Sequence, residues 1–99
     1  MMNVSKNLSK QAQMMQAALF QANGSKTHLQ TLIDANIRMA YKVARKHLRR
    51  GIEFDDLVSE AVVGIIKAAS RYDATRGASF TTFARQWMVS QCQEHVRSN

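Results

Sequence analysis

Apolar residues recur along most of this chain at steps of three and four, the period of an amphipathic helix, and little of the sequence alternates as a strand would. The chain has no proline and only four glycines, so glycine marks the breaks between helices. The first predicted helix covers residues 5 to 22 and is stopped by Asn23 and Gly24. Its apolar positions are Leu8, Ala12, Met15, Leu19 and Ala22.

The second predicted helix, residues 26 to 49, has the most regular pattern in the chain, and Ser25 can cap its start. Its apolar positions are Leu29, Ile33, Ile37, Ala40, Ala44 and Leu48. An adjoining face carries a basic stripe, which we define as Arg38, Lys42, Arg45 and Arg49. With Lys46 and Arg50 beside it, this stripe is either a solvated face near a helix C-terminus or a surface that contacts phosphates.

A third predicted helix begins at Asp55 or a neighbour, after the turn at Gly51, and runs to Arg71. One face carries Leu57, Ala61, Ile65 and Ala68, widened by Val58, Val62 and Ile66. Four of the seven acids form a cluster at its start: Glu53, Asp55, Asp56 and Glu60. These acids either suit the helix dipole or, since Asp56 and Glu60 share a face, present paired carboxylates to cations of a partner.

Residues 72 to 77 predict a turn, and Ser79 or Thr81 then caps a last helix over residues 81 to 97. In that helix Phe80, Phe83 and Trp87 share one stripe. An aromatic stripe usually packs in a core, but polar residues surround this one, so a binding surface stays open as the alternative. The pattern as a whole predicts an all-α fold, a compact bundle of about four helices forming a single structural domain.

Composition narrows the class of partner. Lys and Arg number 14 against 7 acids, and the net charge of +7 favours a polyanion such as nucleic acid. The single cysteine, Cys92, has no intramolecular disulfide partner, and the three histidines lie too far apart for a metal site, so we expect no metal and no cofactor. No apolar run resembles a signal peptide or a membrane span, which favours a cytoplasmic protein.

Catalytic groups are not evident in the sequence. Asp55 and Asp56 are neighbours and point about 100° apart on a helix, so they do not form an acid–base pair. Cys92 and His95 are three residues apart and could activate a thiolate, but a lone cysteine on a helix usually packs. With no glycine-rich phosphate loop either, the sequence predicts a binding module rather than an enzyme.

The run LIDANIRMAYKVARKHLRRGIEFDDLVSEAVVGIIKAASRYDATRGASFTTFARQWM, residues 32 to 88, resembles region 2 of bacterial sigma factors of the sigma-70 family. The resemblance implies a region 2-like domain over residues 26–99, preceded by a helical segment over residues 1–25. It also implies a sigma factor domain of transcription initiation that docks on the clamp coiled coil in the largest subunit of core RNA polymerase. As the promoter opens, such a domain captures the non-template strand of the minus-ten element. Anti-sigma factors are a further class of partner.

Family site residues carry over by position. In the family, a strand-capturing pocket holds a flipped adenine, and a tryptophan pair wedges against the last base pair. The positions of this chain that match that pocket are Asn36, Met39, Tyr72, Arg76, Ser79, Phe80, Thr81, Phe83, Gln86 and Trp87. Ser90 and Gln93 match the face that would read the upstream duplex. The residues that match the polymerase-binding surface are Asp56, Ser59, Glu60, Val62 and Ile66.

Several positions depart from the family pattern. Gln86 replaces the first tryptophan of the pair, Ala78 replaces an aromatic that often follows the Arg-Gly dipeptide, and Phe83 replaces the pocket tyrosine. Ser59 and Val62 stand where primary sigma factors commonly have Gln and Asn. These departures favour an alternative sigma factor with weaker melting, and the run QWMVSQCQEHVRSN has some likeness to the heat-shock branch.

Two other functions remain open at this point. The chain could be a stand-alone sigma-like protein that docks on polymerase without opening promoters, or a generic helical DNA-binding protein. Sigma factors continue into region 3 and a helix-turn-helix region 4, whereas this sequence stops at Asn99, as expected of an excised domain or a stand-alone protein.

Overall fold

The computed structural model describes residues 8–99, which form four helices joined by short turns. This confirms the predicted all-α bundle, and no strand occurs in the described range. Positions 5–7 of the first predicted helix lie outside the described residues. The helices are α1 (Lys10–Asn23), α2 (Lys26–Lys46), α3 (Phe54–Arg71) and α4 (Phe80–Ser98).

Serine side chains begin three of the four helices by accepting a hydrogen bond from a backbone N–H of the first turn. Ser9 caps α1, so this helix starts later than the predicted residue 5, and Ser25 caps α2 as predicted. Ser79, rather than Thr81, caps α4 by accepting from Thr82 N at 3.2 Å. α3 starts without a side-chain cap, but the negative charges of Asp55 and Asp56 in its first turn interact favourably with the positive end of the helix dipole.

The end of α2 differs from the prediction, which extended the helix to residue 49. The helix ends at Lys46, where the backbone tightens as His47 N donates to Ala44 O at 3.0 Å. Arg49 of the basic stripe therefore lies in the following turn rather than on the helix. Leu48, predicted on the apolar face, is 45% exposed for the same reason.

The core lies between α3 and α4, with α2 packed across them. Its largest fully buried apolar side chains are Leu32, Leu57, Ile65, Phe80, Met88 and Cys92. Gly64 lets the two central helices approach closely, because a Cβ there would lie 2.7 Å from both the Cα and the N of Met88. The backbone of α4 therefore packs directly on α3 at the turn that carries Trp87.

A buried polar cluster joins α1, α2 and α4. Asn36 is 2% exposed, and its Nδ2 donates to Gln13 Oε1 at 2.9 Å and to Leu32 O at 2.8 Å. Thr81 Oγ1 donates to Asn36 Oδ1 at 2.7 Å. Burying these groups costs little because each has a partner, and the cluster fixes the register of three helices.

A second polar link joins α1 to the end of α3. Gln21 Nε2 donates to Ala69 O and to Tyr72 O, both at 2.9 Å. These acceptors are the carbonyls that a helix C-terminus leaves without an intrahelical partner. Gln21 thus provides hydrogen bonds to backbone carbonyls at the C-terminal end of α3, just before the turn that leads to α4.

Within residues 8–99, no helix has the length and apolarity needed to cross a bilayer.

Cys92 is fully buried, and its Sγ donates weakly to Leu57 O at 3.5 Å. Burial, and to a smaller extent the carboxylate of Glu60, raises the pKa of the thiol from 9.0 to about 11. The thiol therefore stays protonated at neutral pH and packs in the core, rather than being activated by His95.

We expect Cys92 to react with iodoacetamide at pH 8 at least about 100-fold more slowly in the folded chain than in the chain unfolded in guanidinium chloride. The raised pKa alone lowers the thiolate fraction by about 100-fold, and burial excludes the reagent. Because folding raises this pKa, the protonated thiol contributes its full stability below pH 9, and the contribution is lost as the pH rises towards 11. Mass spectrometry of timed aliquots gives both rates; equal rates would contradict the burial.

Candidate nucleic-acid interface

The turn between α3 and α4 is held by its own hydrogen bonds. The Asp73 carboxylate accepts from Thr75 N at 3.0 Å and from Thr75 Oγ1 at 2.6 Å, and these bonds lower its pKa. A single 3₁₀ turn covers Ala74–Arg76 and ends at Gly77, whose φ of +94° is a conformation that favours glycine. The turn thus presents Asp73 as an anion and Arg76 as an exposed cation.

A first cavity of about 340 Å³ opens between this turn and α4. It brings together three residues that were predicted to share a pocket: Tyr72, Arg76 and Phe83. The other lining residues are Arg71, Asp73 and Ala78. The volume lies at the small end for ligand pockets, as expected of a site for one ring-sized group.

Tyr72 forms a fixed wall of the first cavity. Its hydroxyl donates to Ala78 O at 2.6 Å, and its ring meets Phe80 edge-on at 5.4 Å and Phe83 at 5.7 Å between centroids. Burial, followed by the charge of Asp73, raises the pKa of the Tyr72 phenol, so the hydroxyl remains a donor at neutral pH. Aromatic contacts on two sides leave this ring little freedom to rotate.

A second cavity of about 300 Å³ adjoins the first and is lined by Phe83, Gln86, Trp87 and Ser90. Phe83 borders both cavities, and its ring centroid lies 6.4 Å from that of Trp87. The guanidinium carbon of Arg71 lies 4.8 Å from the centroid of the Trp87 ring, a cation–π contact. Sequence reasoning missed Arg71, because its contact with Trp87 joins two helices and has no local spacing.

Several other residues predicted to contact DNA lie outside the two cavities. Asn36 and Phe80 are buried, which corrects the expectation that they face a base: Asn36 belongs to the buried polar cluster, and Phe80 packs under Tyr72. Ser79 caps α4, and Thr81 donates to Asn36. Met39 is partly buried against the core, and Gln93 is exposed outside both cavities.

The basic stripe and the acidic face of α3 differ in how many contacts their side chains make with the rest of the protein. All four residues of the basic stripe are exposed, and none forms an ion pair with another residue of the described range. On α3, Asp56, Ser59 and Ile66 are exposed, and Val62 is partly buried. Glu60 accepts from Gln91 Nε2 at 3.0 Å and lies 3.8 Å from His95 Nδ1, so α4 already holds it in place.

Comparison with known proteins gives a consistent result. The model of the sigma-70 region 2 family matches residues 32–99. The RNA polymerase sigma factor SigA of Lactococcus lactis subsp. cremoris is 30% identical over 82 residues, which cover 83% of this chain and 22% of that protein. The SigA of Mycoplasma genitalium is 39% identical over 57 residues, covering 58% and 12% of the two chains. The SigA of Synechocystis sp. is 35% identical over 57 residues, covering 58% and 13%. This chain spans about a fifth or less of these relatives.

Proposed function

The chain belongs to the sigma-70 region 2 family, and we propose that it serves as a sigma factor domain in transcription initiation. In this role it binds core RNA polymerase and captures unstacked non-template bases of the promoter minus-ten element. It is a cytoplasmic, non-enzymatic binding module in which residues 1–25 precede a region 2-like part over residues 26–99. The observation that carries the proposal is the first cavity, where Tyr72, Phe83 and Arg76 line a space for one ring.

The energetics explain why this surface combines several rings with cations. Stacking a base on an aromatic side chain contributes about 1–3 kcal/mol, whereas extruding a base from a duplex costs a few kcal/mol. One ring therefore roughly balances one extruded base. Additional contacts decide the outcome, and Arg71 and Arg76 at the first cavity supply charge for the neighbouring phosphates.

Strand capture can be tested by fluorescence anisotropy with a minus-ten-like dodecamer, as a single strand and as a duplex, with and without core polymerase. The proposal expects tighter binding of the single strand, and a further gain when core polymerase is present. Strong, salt-dependent binding of the duplex with no response to polymerase would instead support the generic DNA-binding alternative.

The polymerase-binding surface is proposed to be the exposed face of α3 that carries the acid cluster. Carboxylates here suit a basic partner such as the one implied by the family, and complementary charge raises both specificity and association rate. Asp56 is the clearest residue to test. It is exposed and has no ion-pair partner in the described range, whereas Glu60 also holds α4 through Gln91.

We expect Asp56→Arg to weaken binding to core polymerase by tenfold or more, since it places a cation against a basic partner. Asp34→Arg is the matched control, because Asp34 is an exposed acid on α2 and the charge change is the same. Surface plasmon resonance on immobilised core polymerase measures both. If the two variants lose affinity equally, net charge rather than this face governs docking. Docking that persists without any preference for single strands would support the stand-alone sigma-like alternative.

A further inference from the structure

The carboxylate of Glu60 on α3 has each of its oxygens facing a side chain of α4. Oε1 accepts a hydrogen bond from Gln91 Nε2 at 3.0 Å, and Oε2 lies 3.8 Å from His95 Nδ1. The side chain of Glu60 is still 32% exposed, so part of the carboxylate reaches the surface. An ionised carboxylate has about four lone-pair sites, so these contacts leave Glu60 able to accept from a partner as well.

Gln91 is fixed at the other end of its amide by a second hydrogen bond. Lys67 Nζ donates to Gln91 Oε1 at 2.7 Å. Because an ammonium group can only donate and a carboxylate can only accept, one orientation of the amide satisfies both neighbours. Lys67 follows Glu60 by seven residues and so lies on the same face of α3. Gln91 therefore links an anion and a cation of α3 across the interface with α4, and all three side chains are partly buried.

We propose that Gln91 is a positioning residue for docking on core polymerase: it holds the Glu60 carboxylate in the orientation that accepts from a cation of the polymerase. The proposal rests on the proposed function, in which Glu60 belongs to the polymerase-binding surface. A mobile glutamate loses side-chain freedom when it pairs with a partner, whereas a side chain already fixed by the fold loses little more. Gln91 thus strengthens docking through Glu60, without a contact of its own with the polymerase.

The test is a double-mutant cycle in the full 99-residue chain, with affinity for immobilised core polymerase measured by surface plasmon resonance at constant pH and salt. Gln91→Met keeps the length of the side chain but removes both hydrogen bonds, and Glu60→Gln removes the charge that the partner recognises. Gln11→Met is the matched control, because it makes the same chemical change at an exposed glutamine of α1. Urea unfolding checks each variant, and Gln91→Ala, which favours the helix, is the second variant that removes both bonds.

We expect Gln91→Met to weaken binding by about 2- to 12-fold, the effect of immobilising one further side chain at an interface. Gln11→Met should bind as the native chain does. In a Glu60→Gln chain, Gln91→Met should cause no further loss, because the carboxylate that it positions is gone. In an Asp56→Asn chain, it should cost as much as in the native chain, because the hydrogen bonds of Gln91 go to Glu60 and Lys67. A merely structural role of Gln91 would give the same loss in every background.

The outcomes separate this proposal from the proposed function. An equal loss from Gln91→Met with and without the Glu60 carboxylate, or no loss in the native chain, overturns the positioning role and leaves docking by α3 standing. Full affinity in Glu60→Gln has the same meaning, because Glu60 then lies outside the contact. A native chain that does not bind core polymerase overturns both the positioning role and the proposed function.

Discussion

Trp87→Ala is expected to lower the affinity for the minus-ten-like single strand by about 5- to 100-fold, with little change for the duplex. The basis is the loss of one stacking ring, which contributes about 1–3 kcal/mol per base. Phe83→Ala should cost at least as much, because Phe83 lines both cavities. Trp87→Phe keeps a ring and should recover most of the affinity. Anisotropy titrations at constant salt measure all three.

The matched control is Tyr41→Ala. Tyr41 is 44% exposed and stacks on Phe54, away from both cavities, so losing its ring tests whether any exposed aromatic contributes. Circular dichroism of each variant checks that the helices persist. If Trp87→Ala and Phe83→Ala bind the strand as tightly as the native chain, the site is assigned to the wrong surface.

Gly64→Ala is expected to destabilise the fold by about 1–3 kcal/mol, the usual cost of overpacking a core. The new Cβ would lie 2.7 Å from backbone atoms of Met88 and 2.8 Å from the carbonyl carbon of Trp87. Backbone atoms cannot rotate away as a side chain can, so α4 must move away from α3. Urea unfolding followed by circular dichroism gives the change in the free energy of unfolding.

The sign of this effect is itself a test. At a helix position with free space, replacing glycine by alanine stabilises by about 1 kcal/mol through helix propensity. A more stable Gly64→Ala chain would therefore show that α3 and α4 do not pack this closely. A less stable but folded variant should also bind the single strand more weakly, because the shift displaces the turn of α4 that carries Trp87.

The helices could be predicted because their signals are local. Ser25 as a cap and the Asn23-Gly24 stop depend on neighbours in sequence, and both agree with the structure. The end of α2 was predicted three residues too late because the basic stripe keeps its helical spacing through Arg49 even though the backbone does not. A regular spacing of charged residues does not report on backbone hydrogen bonds, so it does not mark where a helix ends.

The candidate site was predicted only in part, because its side chains come from different elements. Matching positions in a known family brought Tyr72, Arg76 and Phe83 together, and the first cavity contains all three. The same matching did not reveal that Asn36 is buried, because its hydrogen bond to Gln13 of α1 joins residues that are far apart in the sequence. Arg71 was missed for a similar reason, as its partner Trp87 lies on another helix.

The link between Gln21 and the last turn of α3 has a consequence for local stability. Gln21 satisfies carbonyls of Ala69 and Tyr72, one of which belongs to a wall of the first cavity. When α1 unfolds transiently, both carbonyls lose the hydrogen bond from Gln21, and the position of Tyr72 in the first cavity is less constrained. A strand bound in the cavity favours the closed form by mass action. Amide protons of α1 should then exchange more slowly with solvent deuterium when the strand is bound, although α1 contributes no residue to either cavity.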